Sequence, residues 1–394
     1  MSEERRSRMR VAISILGVVV GVGSAMGCGG LLAPEDSDRG PGATTASGDA
    51  GTPSVEAIDS GVDAILATGL TDPRSLTVVG NQLFWIQQNE DGSGNGSIMS
   101  VGVGGGTPSA VVSLPNLDLN LTSDGISLYF TSTASSPLGQ SQSTLWRCDL
   151  AGTHLATVAQ DVGTDFGWPG PDSQIFLVDG VLDVLASQIS GGELLLASIS
   201  QAGVATFPPM PGPSGGTVMS LYWADQTGYY ISVSDGTGGV VFWNAGHELF
   251  HPSADQNARD YSLAVVNGEA YLMTIGGAAT STGTAGGPAA TTAIWEAPAT
   301  TAGNGGGATT VVASLPNWSS TGLAADAKGM YVTQAVTTNA PGIYSVSVTT
   351  GATTLLKDDP SGSAYDLTLA PTTLYWFEYT DDGHVGANLH AKSR

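Results

Sequence analysis

The sequence predicts an all-β fold: a single β-propeller of about seven four-stranded blades, with the ring closed by the N-terminal strand. Three observations predict it. A strand pattern recurs about every 48 residues over positions 62–394. Only 12% of residues are charged, while glycine supplies 55 of 394; this suits short strands joined by turns rather than helices. The repeat is also out of phase at its two ends, so the first strand can complete the last repeat.

The N-terminal segments come first. Arg5, Arg6, Arg8 and Arg10 precede the uncharged run VAISILGVVVGVGSAM at 11–26, the basic and apolar regions of a secretory signal. A permanent span needs about 20 apolar residues, and this stretch is short and bears glycine. Ala25-Met26-Gly27-Cys28 follows. With the apolar run, these four residues resemble the lipobox of bacterial lipoproteins, in which a Cys after a small residue receives a diacylglycerol before the signal is cut. The resemblance implies a signal peptide at 1–27 and lipid attachment at Cys28. Ala25 stands where the family more often has Leu, and ordinary cleavage beside an incidental Cys is the alternative. Gly29 after the Cys resembles the default for outer-membrane delivery. The expected location is therefore the cell envelope, as an outer-membrane lipoprotein facing the periplasm or the cell surface, in contact with membrane only through its lipid. Arg5-Arg6 raises the twin-arginine route, but Arg8 and the lack of a following apolar pair favour general secretion. Residues 28–61 are small and polar, with Pro and Gly and no apolar period; they form a disordered tether.

Residues 62–394 form the propeller. Its lone opening strand is DAILATGL (63–70). An aromatic strand type then recurs: LFWIQ (83–87), LYFTS (128–132), IFLVD (175–179), YYISV (229–233), AYLMT (270–274), MYVTQ (330–334) and LYWFE (374–378). A second type follows each, from SIMSVGV (97–103) to NLHAKSR (388–394), and a short apolar strand such as SAVVSL (109–114) usually comes next. About seven residues before each aromatic strand sits an apolar anchor: Leu76, Leu121, Trp168, Tyr222, Leu263, Leu323 and Leu367. VVSLPN at 111–116 returns as VVASLPN at 311–317, four repeats later. An open or stacked all-β array is the rival architecture, and the irregular third repeat leaves six or eight blades open. The LYW strands resemble YWTD-type and gluconolactonase-like propellers. LYWAD (221–225) looks most like them but falls on a first strand by spacing, and those families usually have six blades. The resemblance implies the propeller fold and no activity.

Net charge is −23, and four of the twelve basic residues lie in the leader. Nucleic acid is excluded as a partner, since phosphate contacts need clustered Lys and Arg, and acidity also argues against docking on anionic lipid. Of the two cysteines, Cys148 is expected to be a buried inert thiol. Pairing with Cys28 is possible in principle, but the lipobox commits Cys28 elsewhere.

Motifs with catalytic associations lack their context. His247-Glu248-Leu249-Phe250-His251 matches a zinc-protease pattern that requires a helix. Here it follows the strand VVFWN and precedes Pro252, and in a strand the two His would lie roughly 13 Å apart. Asp91-Gly92-Ser93-Gly94-Asn95-Gly96 begins like a calcium loop, but Gly102 occupies its twelfth position, where a bidentate Glu is needed; a polar hairpin loop is the simpler account. No G-x-S-x-G, Walker loop or dinucleotide fingerprint is present. No catalytic residue or metal ligand set is assigned.

One constellation remains. Asp118, Asp165 and Asp260 lie three residues before their anchors, Asp72 lies four before Leu76, and Asp366 directly precedes Leu367. In a propeller the first strands line the channel, so these carboxylates gather at one mouth. That makes the mouth a candidate site for Ca2+ or a cationic ligand, unless each Asp merely caps its own turn. The expected function is a membrane-anchored envelope lipoprotein whose monomeric propeller is a non-catalytic binding scaffold for an unidentified protein or carbohydrate. The alternative is a lactonase-like hydrolase using a metal in the channel.

Overall fold

A computed structural model describes residues 63–89, 95–135, 141–160, 164–166, 175–188, 194–200, 203, 205–206, 217–225, 228–234, 240–244, 247–250, 261–266, 268–276, 291–298, 310–316, 322–334, 341–359, 363–380 and 386–394. The chain divides into two units, Met1–Pro53 and Ser54–Arg394, and every described residue belongs to the second. Cys28, Trp168, His251, Asp260 and most of the calcium-loop-like run lie outside the described residues.

The architecture is all-β. Strand β1 (Ala64–Thr71) does not pair with the strand that follows it in sequence. The first sheet is β2 (Pro73–Val79), β3 (Gln82–Gln88), β4 (Gly96–Gly102) and β5 (Ser109–Leu114). The second is β6 (Leu117–Ser123), β7 (Ser127–Ser135), β8 (Ser141–Asp149) and β9 (Ala156–Gln160). The third holds β10 (Thr164–Phe166), β11 (Phe176–Val178), β12 (Val181–Gln188), β13 (Leu194–Ser200) and β14 (Ala205–Thr206). The fourth is β15 (Thr217–Asp225), β16 (Gly228–Ser234), β17 (Val240–Asn244) and β18 (His247–Phe250). The fifth is β19 (Tyr261–Val266), β20 (Glu269–Gly276), β21 (Thr291–Pro298) and β22 (Thr310–Pro316). The sixth is β23 (Leu323–Asp326), β24 (Gly329–Gln334), β25 (Gly342–Val346) and β26 (Thr353–Asp358). The last is β27 (Ala364–Leu369), β28 (Thr373–Tyr379) and β29 (Gly386–Ser393), with β1 as its fourth strand, in the order β1-β29-β28-β27.

Each sheet is antiparallel. β1 pairs with β29 from Ala64↔Ala391 to Thr71↔Gly386, with two register shifts between. The first strands touch in sequence: β6 meets β2 and β11, β15 meets β11 and β19, β23 meets β19 and β27, and β27 meets β2. The second strands β3, β7, β20, β24 and β28 each bury successive residues, and so both faces, which explains their largely apolar runs. Leu83, Phe84, Trp85 and Ile86 of β3 are each fully buried. Leu83 and Trp85 pack with Tyr375 and Phe377 of the last sheet, while Phe84 and Ile86 pack with Leu128 and Phe130 of the second. The core is therefore a set of apolar wedges between neighbouring sheets.

A turn glycine recurs where sheets meet. Gly105, Gly152 and Gly203, in the turns after β4, β8 and β13, have φ of 85°, 79° and 78°. A Cβ would lie 3.1 Å from the Leu66 carbonyl oxygen of β1 at Gly105, 2.0 Å from that of Val111 in β5 at Gly152, and 2.1 Å from that of Val158 in β9 at Gly203. The Gly152 and Gly203 turns thus lay bare backbone on the fourth strand of the preceding sheet, where only glycine fits, and the Gly105 turn lays its backbone on β1. Beside Gly105, the Gly106 amide donates to Leu66 O at 3.1 Å.

The sequence expectations meet this structure unevenly. SAVVSL and VVASLPN are fourth strands of the first and fifth sheets, β5 and β22, four sheets apart. LYWAD lies on β15, a first strand, as its spacing implies. The third repeat needs correction: IFLVD is not its second strand. Residues 176–178 form β11, which pairs with β12, and β12 is the second strand despite having no aromatic residue. The cause is a turn signal. Asp179 and Gly180 have φ of 49° and 79°, so an Asp-Gly hairpin turn folds β11 directly onto β12. His247–Phe250 is strand and not the helix that the zinc-protease pattern requires. Among the described residues, no helix is long and apolar enough to cross a membrane.

Candidate functional site

The leading ends of the first strands carry the candidate site, and bulges shape it. β2, β6 and β27 each slip register near their start, between Arg74 and Thr77, Leu117 and Leu121, and Tyr365 and Thr368. Ser75 and Asp366, each directly before its anchor leucine, sit inside two of these bulges with φ of 56°. A bulge turns the extra residue out of the ladder, so both side chains reach the neighbouring sheet. Asp366 Oδ2 accepts the Leu76 amide of β2 at 3.0 Å. Ser75 Oγ in turn donates to the Leu119 carbonyl of β6. The last, first and second sheets are thereby linked in a relay along this rim.

Arg74 completes the rim. Its guanidinium lies 5.0 Å from the Tyr365 ring centroid and 5.7 Å from that of Tyr379, within cation–π range. The two tyrosines stack at 4.1 Å and 20°. Arg74 Nη2 also pairs with Asp72 Oδ1 at 2.7 Å, and both side chains stay about one-third exposed, 34% and 33%. The site therefore offers a cation on an aromatic shelf that solvent can reach.

The five predicted carboxylates fare differently. Asp72 is the ion-pair partner of Arg74. Asp118 Oδ2 accepts the Thr133 hydroxyl at 2.9 Å, from the next strand of its own sheet. Burial pushes its acid up to about 6 against the opposing hydrogen bonds of Thr133 and Thr131. Burial likewise pushes Asp366 up to about 6, opposed by the Leu76 amide and the Arg74 charge. Asp165 falls on β10 but its side chain is not described, and Asp260 lies outside the described residues. Among the described residues, no three His, Cys, Asp or Glu side chains stand close enough to hold a metal ion. Asp118 and Asp366 each brace backbone or hydroxyl groups of neighbouring strands. Cys148 is buried, and burial pushes its thiol up to about 11, in keeping with an inert thiol.

Sequence reasoning missed the arginine–tyrosine shelf, though a signal was there. Aligned on the anchors, Arg74 and Tyr365 hold the same position, two residues before Leu76 and Leu367. Equivalent positions in adjacent repeats face each other across a wedge.

No protein-family description matches the chain, and no curated protein matches it. Solved structures do. An oligogalacturonate lyase in complex with manganese is similar at a TM-score of 0.51 and 11% identity, over 85% of this chain and 98% of that one. With seven antiparallel sheets and this likeness, the fold is that of a β-propeller. The propeller domain of the Trilobed protease from Pyrococcus furiosus is similar at a TM-score of 0.49 and 9% identity, over 83% of this chain and 96% of that one. A prolyl endopeptidase is similar at 0.47 and 14%; the propeller covers 79% of its own length there and about half, 47%, of the endopeptidase. At these identities the likeness concerns the propeller fold alone.

Proposed function

We propose that this chain is an exported lipoprotein, anchored through Cys28, whose seven sheets are the blades of one ring and whose β1 closes that ring. The ring acts as a non-catalytic binding module, with the rim around Arg74 as its recognition surface. Support for closure comes from the glycine turns. The first sheet's turn meets β1 in the same way as the second and third sheets' turns meet β5 and β9, so β1 stands in the place of a fourth strand. Contact of β27 with β2 supports the same reading.

The observation that carries the binding role is the use made of the two buried acids at the rim. Asp118 and Asp366 spend carboxylate oxygens on Thr133 and Leu76, which fixes the rim rather than leaving a base aimed at a substrate. A rigid rim lowers the ordering cost of binding, and a partly exposed Arg on tyrosine suits protein or carbohydrate recognition. The test compares the full chain with its Arg74→Gln variant on a carbohydrate panel, alongside a turnover assay with lactone and ester substrates. Carbohydrate or protein binding that Arg74→Gln weakens, without turnover, supports the binding role. Turnover abolished by Asp118→Asn replaces it with the hydrolase alternative.

A further inference from the structure

Ionisable side chains from four parts of the chain meet where the N-terminal strand joins the body. Asp63, directly before β1, places Oδ1 2.8 Å from Lys392 Nζ on β29 and Oδ2 3.1 Å from Lys357 Nζ on β26. Lys357 Nζ lies 4.0 Å from Glu378 Oε2 on β28. His390 Nε2, on β29, lies 3.6 Å from that same oxygen. Asp359, just past β26 and buried, acts on both Lys357 and His390. Asp63 thus pins the start of β1 to its own sheet and to the sixth.

The histidine is the unusual member. It is 5% exposed and stacks on Trp376 at 5.4 Å and 18°. Among the described residues, neither ring nitrogen has a hydrogen-bond partner, and 3.6 Å to Glu378 is beyond hydrogen-bond reach. A charged imidazole held this way lacks the solvation its charge demands. Across the ladder, His390 pairs with Ile65 of β1. β1 is the edge strand of the sheet, so its departure is the shortest route by which water reaches the ring.

We propose that this cluster is an acid-released clamp: proton uptake by His390 opens β1 from β29 while the other sheets stay folded. The inference rests on the β1–β29 pairing, independently of the lipid anchor and the binding role.

The direction follows from linkage. Burial, reinforced by Lys357 and opposed by Asp63 and Asp359, holds the His390 imidazole down at about 4. With β1 released, the ring returns to its ordinary 6.5. His390 therefore favours the closed clamp above 6.5, and that preference is lost as the pH falls toward 4. Asp63 acts in the same direction at lower pH: burial pushes it up, but Lys392 and Lys357 outweigh this and hold it below 3.8. Glu378, raised by burial, opposes them by taking up its proton in the closed form. Lys357 is raised by Asp63 and Glu378 despite burial and stays charged throughout.

The test is hydrogen exchange on the full chain, resolved by peptide and corrected for intrinsic rates. Taken alone, the two His390 values imply up to about 30-fold more frequent β1 opening at pH 5 than at pH 8, a factor that Glu378 reduces. Peptides covering 64–71 should lose protection by a factor of that order, while those covering 127–135 in the second sheet should not. His390→Gln should flatten the pH dependence. Asp63→Asn, which leaves His390 in place, should make 64–71 labile already at pH 7, and serves if His390→Gln does not fold. The clamp is overturned if 64–71 stay protected at pH 5, if all sheets lose protection together, or if His390→Gln responds to pH as the wild type does.

Discussion

Substituting Gly152 tests whether the sheets are held together at their turns. The residue has φ of 79°, and a Cβ would lie 2.0 Å from the Val111 carbonyl oxygen and 2.8 Å from its carbon. The left-handed backbone alone costs an alanine about 1 kcal/mol. The overlap adds more, because its partner is backbone that no rotamer change can move. Relieving it means lifting the turn off β5, and overpacking of this kind costs about 2 kcal/mol. Gly152→Ala should therefore lose about 3 kcal/mol in urea unfolding. Gly80→Ala is the matched control: its φ is 58° and nothing lies within 4 Å of the added Cβ, so it should lose about 1 kcal/mol. Gly203→Ala, 2.1 Å from the Val158 oxygen, should behave like Gly152→Ala. Equal losses for Gly152→Ala and Gly80→Ala would refute the turn contact as a source of inter-sheet stability.

Other expectations concern the anchor, the closing strand and the acids. Cys28→Ala should move the protein from membrane to soluble fractions, since one residue must carry several acyl chains for stable anchoring; membrane retention would contradict lipidation. Deleting 62–70 should lower the melting temperature far more than deleting 29–61, because only the first cut bares the β29 edge; equal temperatures would count against closure by β1. With a folded-state acid near 6 and an unfolded value near 3.8, Asp366 weakens the fold above pH 6, and this cost is relieved as pH falls. Asp366→Asn should then gain about 3 kcal/mol at pH 7 and only about 0.5 kcal/mol at pH 4, and a loss at pH 7 would show that the charge itself is needed. If the Asp set binds Ca2+, filling the site to 100 times its dissociation constant should add about 2.7 kcal/mol. No melting shift at millimolar Ca2+, or one that survives Asp118→Asn, would remove that site.

Much of the fold was legible because burial on two faces leaves a simple mark. A strand such as Leu83–Ile86 must be apolar throughout, and LFW, LYF and LYW stand out in a Gly- and Thr-rich chain. The opening strand was legible for a complementary reason, as the missing member of the last repeat. The third repeat misled because an Asp-Gly turn outranked aromatic content. Its strand β12 is aliphatic, and only the turn chemistry at 179–180 identifies its partner. Composition could not show the rim's braces. Asp366 and Ser75 act through bulges, which depend on where register slips rather than on residue type. The clamp was hidden by distance along the chain: Asp63 and Lys392 meet only once the ends of the chain share a sheet.

That shared sheet has a consequence for the order of events during synthesis. β1 leaves the ribosome among the first parts of the body, yet its ladder partner in β29 follows about 320 residues later. Until then its open edge faces whatever is nearby, including other chains in the same condition. The last sheet is therefore the natural checkpoint of maturation, since it can assemble only on a chain that has fully emerged. A truncated or stalled product would carry β1 as a permanently unmatched strand, a mark that proteolysis or a holding chaperone could read.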